Sequence, residues 1–380
     1  MFKITVYLLL FITFSQATDK IVCYFSNWAE TRPQIGRFDV EDIDPYLCTH
    51  LIYAFIGLNE DSTINILDYQ NSIGNNAIRR FNNLRLINPE LKTLIAIGGW
   101  TEGSERYSDM VSTLTTRSIF INSTIEFMET YGFDGFDLDW EYPNKRGGKP
   151  GDKENFIQLL AEMRPVFDER GWLLTAAVNA AYKSVNICYD VVGLNRYLDF
   201  INLMTYNLHG SWDNVTGHNA PLHPAENDWD MLLNVDSCVI DWIKRGASPE
   251  KLILGTGTYG KSFTLTNEKE NSVNSPTLGA GELGPYTGEF GILGYYEICA
   301  NILNGWTRSW DDTQLVPYAF NGNQWVGYDD VKSLQLKAEY AISKGLGGIM
   351  VWSVDTDDFN GICGEKSPLI NQIKKTLNGI

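Results

Sequence analysis

Asp134-Gly135-Phe136-Asp137-Leu138-Asp139-Trp140-Glu141-Tyr142 alternates acid with large apolar residue. In a strand, alternate side chains share a face, so Asp137, Asp139 and Glu141 point one way and Phe136, Leu138 and Trp140 the other. The apolar face demands a covering helix, which argues against a solvated edge strand. The acidic face then turns inward, with Glu141 at the C-terminal rim. Three carboxylates in one confined file cannot all be ionised cheaply, and like charges raise pKa values until protons are retained. A carboxylic acid that stays protonated near neutral pH can donate to a leaving group. The competing reading is a Ca²⁺ or Mg²⁺ site, because hard cations take carboxylate oxygens.

Working outward, the same kind of segment recurs. Ile21–Phe25, His50–Leu58, Thr93–Gly99, Gly135–Trp140, Leu173–Asn179, Phe200–Tyr206, Leu252–Tyr259 and Gly348–Ser353 are short β-rich runs. Several are apolar with little alternation, as expected of strands buried on both faces of a parallel sheet. Amphipathic stretches such as Arg117–Tyr131, Lys153–Arg170, Asp236–Arg245 and Ser333–Lys344 alternate with them. Eight strands interleaved with helices predict an α/β fold of the (β/α)8 TIM-barrel type. The spacing breaks once, with 96 residues from Leu252 to Gly348. The excess, 262–328, is rich in Gly, Tyr, Asn and Thr and reads as a small α+β domain inserted after strand seven. The barrel then comprises 18–261 and 329–380.

Composition narrows the function. With 47 acidic and 30 basic residues, the formal net charge is −17. That disfavours nucleic acid as a partner, which needs clustered Lys and Arg, and an anionic membrane surface equally. Eleven Trp, 19 Tyr and 18 Phe make 13% of the chain aromatic. Stacking on flat, uncharged faces such as sugars is one use for so many rings. Residues 1–17 read as a secretory signal peptide: Lys3, an apolar run from Ile4 to Phe14, then Ser15-Gln16-Ala17. A secreted, extracellular monomer is expected. Secretion permits disulfides, and six cysteines can pair in 15 ways. No close Cys spacing and only four histidines give no metal site, and no cofactor is expected. Asn122 and Asn214 each head a glycosylation sequon.

Asp134 to Pro143, DGFDLDWEYP, resembles the DxxDxDxE motif of the glycoside hydrolase family 18 chitinases. Further blocks are similar in order: Ile21–Phe25 with Trp28, Thr49–Phe55, Ala96–Trp100, Asn202–Tyr206, His209–Trp212, Lys251–Gly255 with Thr258–Gly260, and Gly347–Trp352. The likeness spans nearly the whole chain and is strongest to the animal secreted chitinases.

The resemblance implies an endochitinase that cuts β-1,4 bonds between N-acetylglucosamine units, with chitin and chitooligosaccharides as partners. It makes Glu141 the proton donor and Asp139 the group that orients the substrate acetamide, with Asp137 sharing a proton with Asp139. The acetamide oxygen attacks the anomeric carbon, giving an oxazolinium ion and net retention, a known exception to the two-carboxylate scheme. Tyr206 would donate to the acetamide, and Trp352 would floor the reacting sugar. Tyr24, Phe55, Gly98, Gly99, Trp100, Thr101, Tyr142, Met204, Thr205, Asn207, Tyr259 and Lys261 would line the pocket. Trp28, Asp68, Tyr69, Trp212 and Glu297 would extend the cleft. Cys23–Cys48 and Cys299–Cys363 match disulfides of the animal enzymes, while Cys188 and Cys238 have no counterpart and leave a third bridge open.

Three residues depart from the pattern. Asn207 stands where Asp is usual, Lys261 where Arg is usual, and Thr101 where Asn is frequent; all three bear on pH optimum and subsite strength. The 380 residues contain no Ser/Thr/Pro-rich linker and no chitin-binding module, so weaker action on crystalline chitin is expected. The competing function is a catalytically weak, chitin-binding lectin or growth-factor-like protein on the same scaffold. Such relatives lose the terminal acid to Leu or Gln; here Glu141 is present.

Overall fold

The computed structural model describes residues 18–226 and 228–379; the signal-peptide reading of 1–17 lies outside the described residues. Eight parallel strands carry the molecule: Lys20–Ser26, His50–Leu58, Lys92–Gly98, Gly135–Asp139, Leu173–Asn179, Phe200–Met204, Leu252–Gly257 and Gly348–Trp352. Each pairs with its neighbours in chain order, and the first closes the ring by pairing with both the second and the eighth. The result is a (β/α)8 barrel. Closure removes the open edges of a sheet and buries every strand on both faces. This accounts for runs such as Leu94–Ile97 and Ile349–Val351, which alternate little and are wholly buried.

Helices form the outer layer, among them Leu114–Tyr131, Asp152–Arg170, Val235–Lys244 and Val331–Ser343. Their ends follow ordinary rules. Thr113 caps the first of these with a reciprocal Thr113–Thr116 box, and Gly132, at φ +77°, closes it. No described helix is long and apolar enough to cross a membrane.

Between the seventh and eighth barrel strands lies a six-stranded antiparallel sheet with one helix, Tyr295–Leu303. Its strands are Tyr259–Leu265, Thr277–Ala280, Ile292–Gly294, Thr307–Asp311, Val316–Asn321 and Gln324–Gly327. Phe263, Leu265 and Trp325 form one small core there, and Leu293, Ile298, Ala319, Val326 and Tyr328 another. A single residue, Thr258, separates the seventh barrel strand from the first strand of this sheet, which starts at Tyr259.

Cys23–Cys48 and Cys299–Cys363 are disulfide-bonded. Cys188 and Cys238 are buried free thiols, so no third bridge forms. Burial pushes their pKa values up, to about 11 and about 12. Asn122 and Asn214 are both exposed.

Candidate active site

The fourth barrel strand is held between the third and fifth in a register that pairs Asp137 with Ala96 on one side and Thr175 on the other. Alternation sends Phe136 and Trp140 outward as expected. Phe136 meets Phe120 edge-on at 6.1 Å, Trp140 meets Phe156 at 5.6 Å, and the Trp140 indole N–H donates to Ser104 Oγ at 3.0 Å. Those contacts fix the strand's rotation, and the three acids share the opposite, inward face. All three are buried.

Their surroundings differ. Both Asp137 oxygens are occupied: Oδ2 accepts from the Tyr24 hydroxyl at 2.7 Å, and Oδ1 from Thr175 at 2.5 Å and Asn202 at 3.2 Å. Burial nevertheless lifts its pKa to about 6, the three hydrogen bonds pulling the other way. Asp139 is pushed well above the carboxylate range by burial, then by the charges of Glu141 and Asp137, and its Oδ1 has no hydrogen-bond partner among the described residues. Glu141 is raised by burial, offset by the Tyr142 hydroxyl and the Arg146 guanidinium. Burial therefore raises all three acids, with mutual charge adding at Asp139, and they titrate as a coupled group.

Backbone shape depends on two glycines after the third strand. Gly98 has φ +114°, and a Cβ there would stand 2.2 Å from the Asp139 carbonyl oxygen. Gly99 has φ +82°, a Cβ there would meet the Phe55 ring at 2.6 Å, and its N–H donates to Asp139 O at 2.8 Å. Only glycine fits both the dihedral and the approach. Past them, the Arg146 guanidinium stacks 3.5 Å above the exposed Trp100 ring while donating to the carbonyls of Trp100 and Glu141.

Aromatic rings cover the rest of the barrel mouth. Trp352, ending the eighth strand, lies 5.7 Å from Phe55 with rings 20° apart and 5.4 Å from Tyr24, and Trp28 stacks on Phe55 at 6.1 Å. Tyr206 is buried, donates to Met350 Sδ at 3.7 Å, and meets Tyr259 edge-on at 6.1 Å. The Tyr259 hydroxyl donates to Asn207 Oδ1 at 2.7 Å. Asn207 itself is left-handed at φ +54°, a conformation Asn tolerates. Met204 ends the sixth strand half-buried, and Tyr142 follows Glu141. Asp68, Tyr69 and Thr101 lie on loops after the second and third strands, and Trp212 is exposed on the loop after the sixth.

Two residues read as cleft contacts are committed elsewhere. Glu297 accepts four hydrogen bonds, from the N–H groups of Tyr286, Thr287 and Gly294 and the Thr287 hydroxyl, at 2.7 to 3.0 Å. It anchors its own turn and caps the helix Tyr295–Leu303, because a carboxylate buried beside a helix N-terminus collects free amides. Thr205 is fully buried and donates to Gly255 O at 2.7 Å, tying the sixth strand to the seventh. Asn202, Thr175 and Arg146 escaped the sequence reading as functional residues. Asn202 and Thr175 had a usable signal, being polar residues inside otherwise apolar buried strands. The hard-cation alternative finds no convergent set of acid oxygens: among the described residues three ligand-type atoms converge only at Cys299, Asp358 and Cys363, where the sulfurs are joined to each other.

A barrel mouth with an acid file and an aromatic floor has clear relatives. The chain is 43% identical to "Chitotriosidase-1" of Mus musculus over 371 residues, 94% of this chain and 78% of that protein. The structure matches the Group IV chitinase of Ostrinia furnacalis with a TM-score of 0.93 and 45% identity, covering 95% of this chain and all of the other. It also matches human YKL-39, described as a pseudo-chitinase with retained chitooligosaccharide binding, with a TM-score of 0.88 and 40% identity over 95% of this chain and all of the other. The model of the glycosyl hydrolases family 18 aligns with residues 20–357, from the first barrel strand to just past the eighth, and the chain belongs to that family.

Proposed function

We propose that this protein is a secreted endochitinase that hydrolyses β-1,4 linkages between N-acetylglucosamine units with retention, using the substrate's own acetamide as nucleophile. The observation that carries it is the unpartnered Oδ1 of buried Asp139 beside a Glu141 raised in pKa. An orphaned acceptor inside a polar pocket is costly unless a ligand donor completes it. The N–H of an acetamide is such a donor.

With the reacting sugar over Trp352, the acetamide carbonyl oxygen bonds to the anomeric carbon as the glycosidic C–O bond breaks. Glu141 delivers its proton to the departing oxygen. Asp139 holds the acetamide N–H and offsets the positive charge that develops on the oxazolinium ring, and Tyr206 donates to the acetamide oxygen. Water then attacks the anomeric carbon, gives its proton back to Glu141, and reopens the ring. Asp137, fixed by Tyr24, Thr175 and Asn202, takes the proton that Asp139 gives up as that charge develops. No second carboxylate across the sugar is required. Exposed aromatics, Trp28 at 6.2 Å from Trp352 and Trp212 on the loop after the sixth strand, support a cleft that holds more than the reacting sugar.

Product analysis on soluble chitin oligomers tests the reading. Native protein should release oligomers whose new reducing ends are β when fresh, by NMR. Glu141→Gln should lose at least about 100-fold in turnover and keep oligomer binding, since an amide preserves shape but has no proton to give. Fresh α-anomers, or near-normal turnover by the variant, would overturn the mechanism.

A further inference from the structure

Lys261 is the residue that the family-level reading leaves over. Along Tyr259–Leu265, Tyr259 and Lys261 fall on one face, as alternate strand residues do. The Lys261 ammonium stands 5.5 Å from the centre of the Trp212 ring and 5.7 Å from that of Tyr259. The residue is only 7% exposed, yet among the described residues its ammonium has neither a hydrogen bond nor an ion pair. Lysines are seldom buried without an anion. Burial lowers its pKa to about 8, with Glu289 pulling upward, so it stays cationic through acidic and neutral pH. Its strand partners Ile292 and Gly327 are uncharged, and Tyr259 beside it donates to the neutral amide of Asn207. The ammonium therefore rests beside two aromatic rings with no hydrogen bond or ion pair among the described residues.

We propose that Lys261 makes the sugar position between Trp212 and Tyr259 selective for N-acetylated units, by rejecting the ammonium of a de-N-acetylated glucosamine there. The inference rests on the chitin-hydrolysis reading. An acetamide offers its carbonyl oxygen to the lysine, whereas a protonated amine brings a like charge with no acceptor. At about 6 to 7 Å and an effective dielectric of about 20 to 40, like charges disfavour occupancy by about tenfold. This selection is separate from the requirement for an acetamide on the reacting sugar, which supplies the nucleophile.

The test is cleavage of half-deacetylated chitosan at pH 5, where both amines are protonated, with products sequenced by mass spectrometry for two units either side of the cut. Native protein should exclude glucosamine from one position besides the reacting one. Lys261→Met should raise glucosamine at that position by about tenfold while the reacting position stays acetylated, and Lys261→Arg should keep the native ratio. Because each ratio is read within one product mixture, a slower or less well-folded variant does not distort it. An unchanged ratio in Lys261→Met overturns the proposal, provided both proteins cut fully acetylated hexamer. A native protein that leaves that hexamer intact overturns the hydrolase reading, and this inference with it.

Discussion

The molecule contains two sets of three buried acids, both near the C-terminal ends of barrel strands, and they are built in opposite ways. After the eighth strand, Asp355, Asp357 and Asp358 are fully buried. Asp357 accepts from the N–H groups of Asp358, Leu369 and Ile370, and Asp358 from those of Ile362 and Cys363. Asp355 accepts from Ser26 N–H and lies 2.8 Å from Arg32. All but one of those oxygens accept from a backbone amide, and the exception, Asp355 Oδ2, is held only by its ion pair with Arg32. On the fourth strand only Asp137 is so well furnished, by side chains, and Asp139 keeps an empty acceptor. Acids whose oxygens are all taken by the fold hold the fold together. Acids left short of donors wait for a ligand.

The same chemical change in both sets separates them. Glu141→Gln should cost at least about 100-fold in turnover and leave the melting temperature nearly unmoved. Asp357→Asn should lower the melting temperature by several degrees and leave kcat of the folded protein within about twofold. A variant that fails in both assays, in either set, breaks the contrast. Next in size, Asp355→Ala strands Arg32 without its partner and should cost about 3–5 kcal/mol, the usual loss when one member of a buried pair is removed. Denaturant titration checks this, and a loss below about 1 kcal/mol would place the pair among dispensable surface contacts.

Acidity sharpens the contrast further. Burial lifts Asp357 to about 7 and Asp137 to about 6, above an ordinary carboxylate near 4. The folded protein then holds protons that the unfolded chain has released, so these groups stabilise fully below about pH 4. Their contribution falls as pH rises toward 7. Burial lowers His50 and His218, which act the other way over this interval, so the check by calorimetry is a difference. The melting temperature of the native protein relative to Asp357→Asn should fall between pH 5 and pH 7.5. A difference that stays constant or grows contradicts the assignment.

The smallest effect concerns Asn207. Its amide receives the Tyr259 hydroxyl and adds no charge near Glu141. Asn207→Asp should raise the pKa of Glu141 and move the alkaline limb of kcat/KM upward by about one pH unit. A limb that stays put or moves down removes the electrostatic role of that position.

Much of this was readable from residue order. The acid file needed only the strand period and the apolar residues on its other face, and each barrel strand appeared as a short β-rich run between helical patterns. What stayed hidden depends on register. Asp137 meets Thr175 and Tyr24 across 38 and 113 positions, and no local pattern reports which strands adjoin. The acids after the eighth strand went unread because their partners are backbone amides, which every residue carries. Glu297 was placed at the cleft by resemblance alone, and only the geometry of its turn shows four donors already in place.

The seventh barrel strand passes into the inserted sheet across a single residue, and Tyr259 is both the first residue of that sheet and the partner of Asn207. The two parts are thus not interchangeable cassettes. A gene exchange that imports another relative's insertion from this junction imports its Tyr259 and Lys261 equivalents too, set against a resident Asn207. Compatibility between lineages would be decided at that seam, and a chimera that respects the sheet boundary would still inherit a hybrid binding pocket.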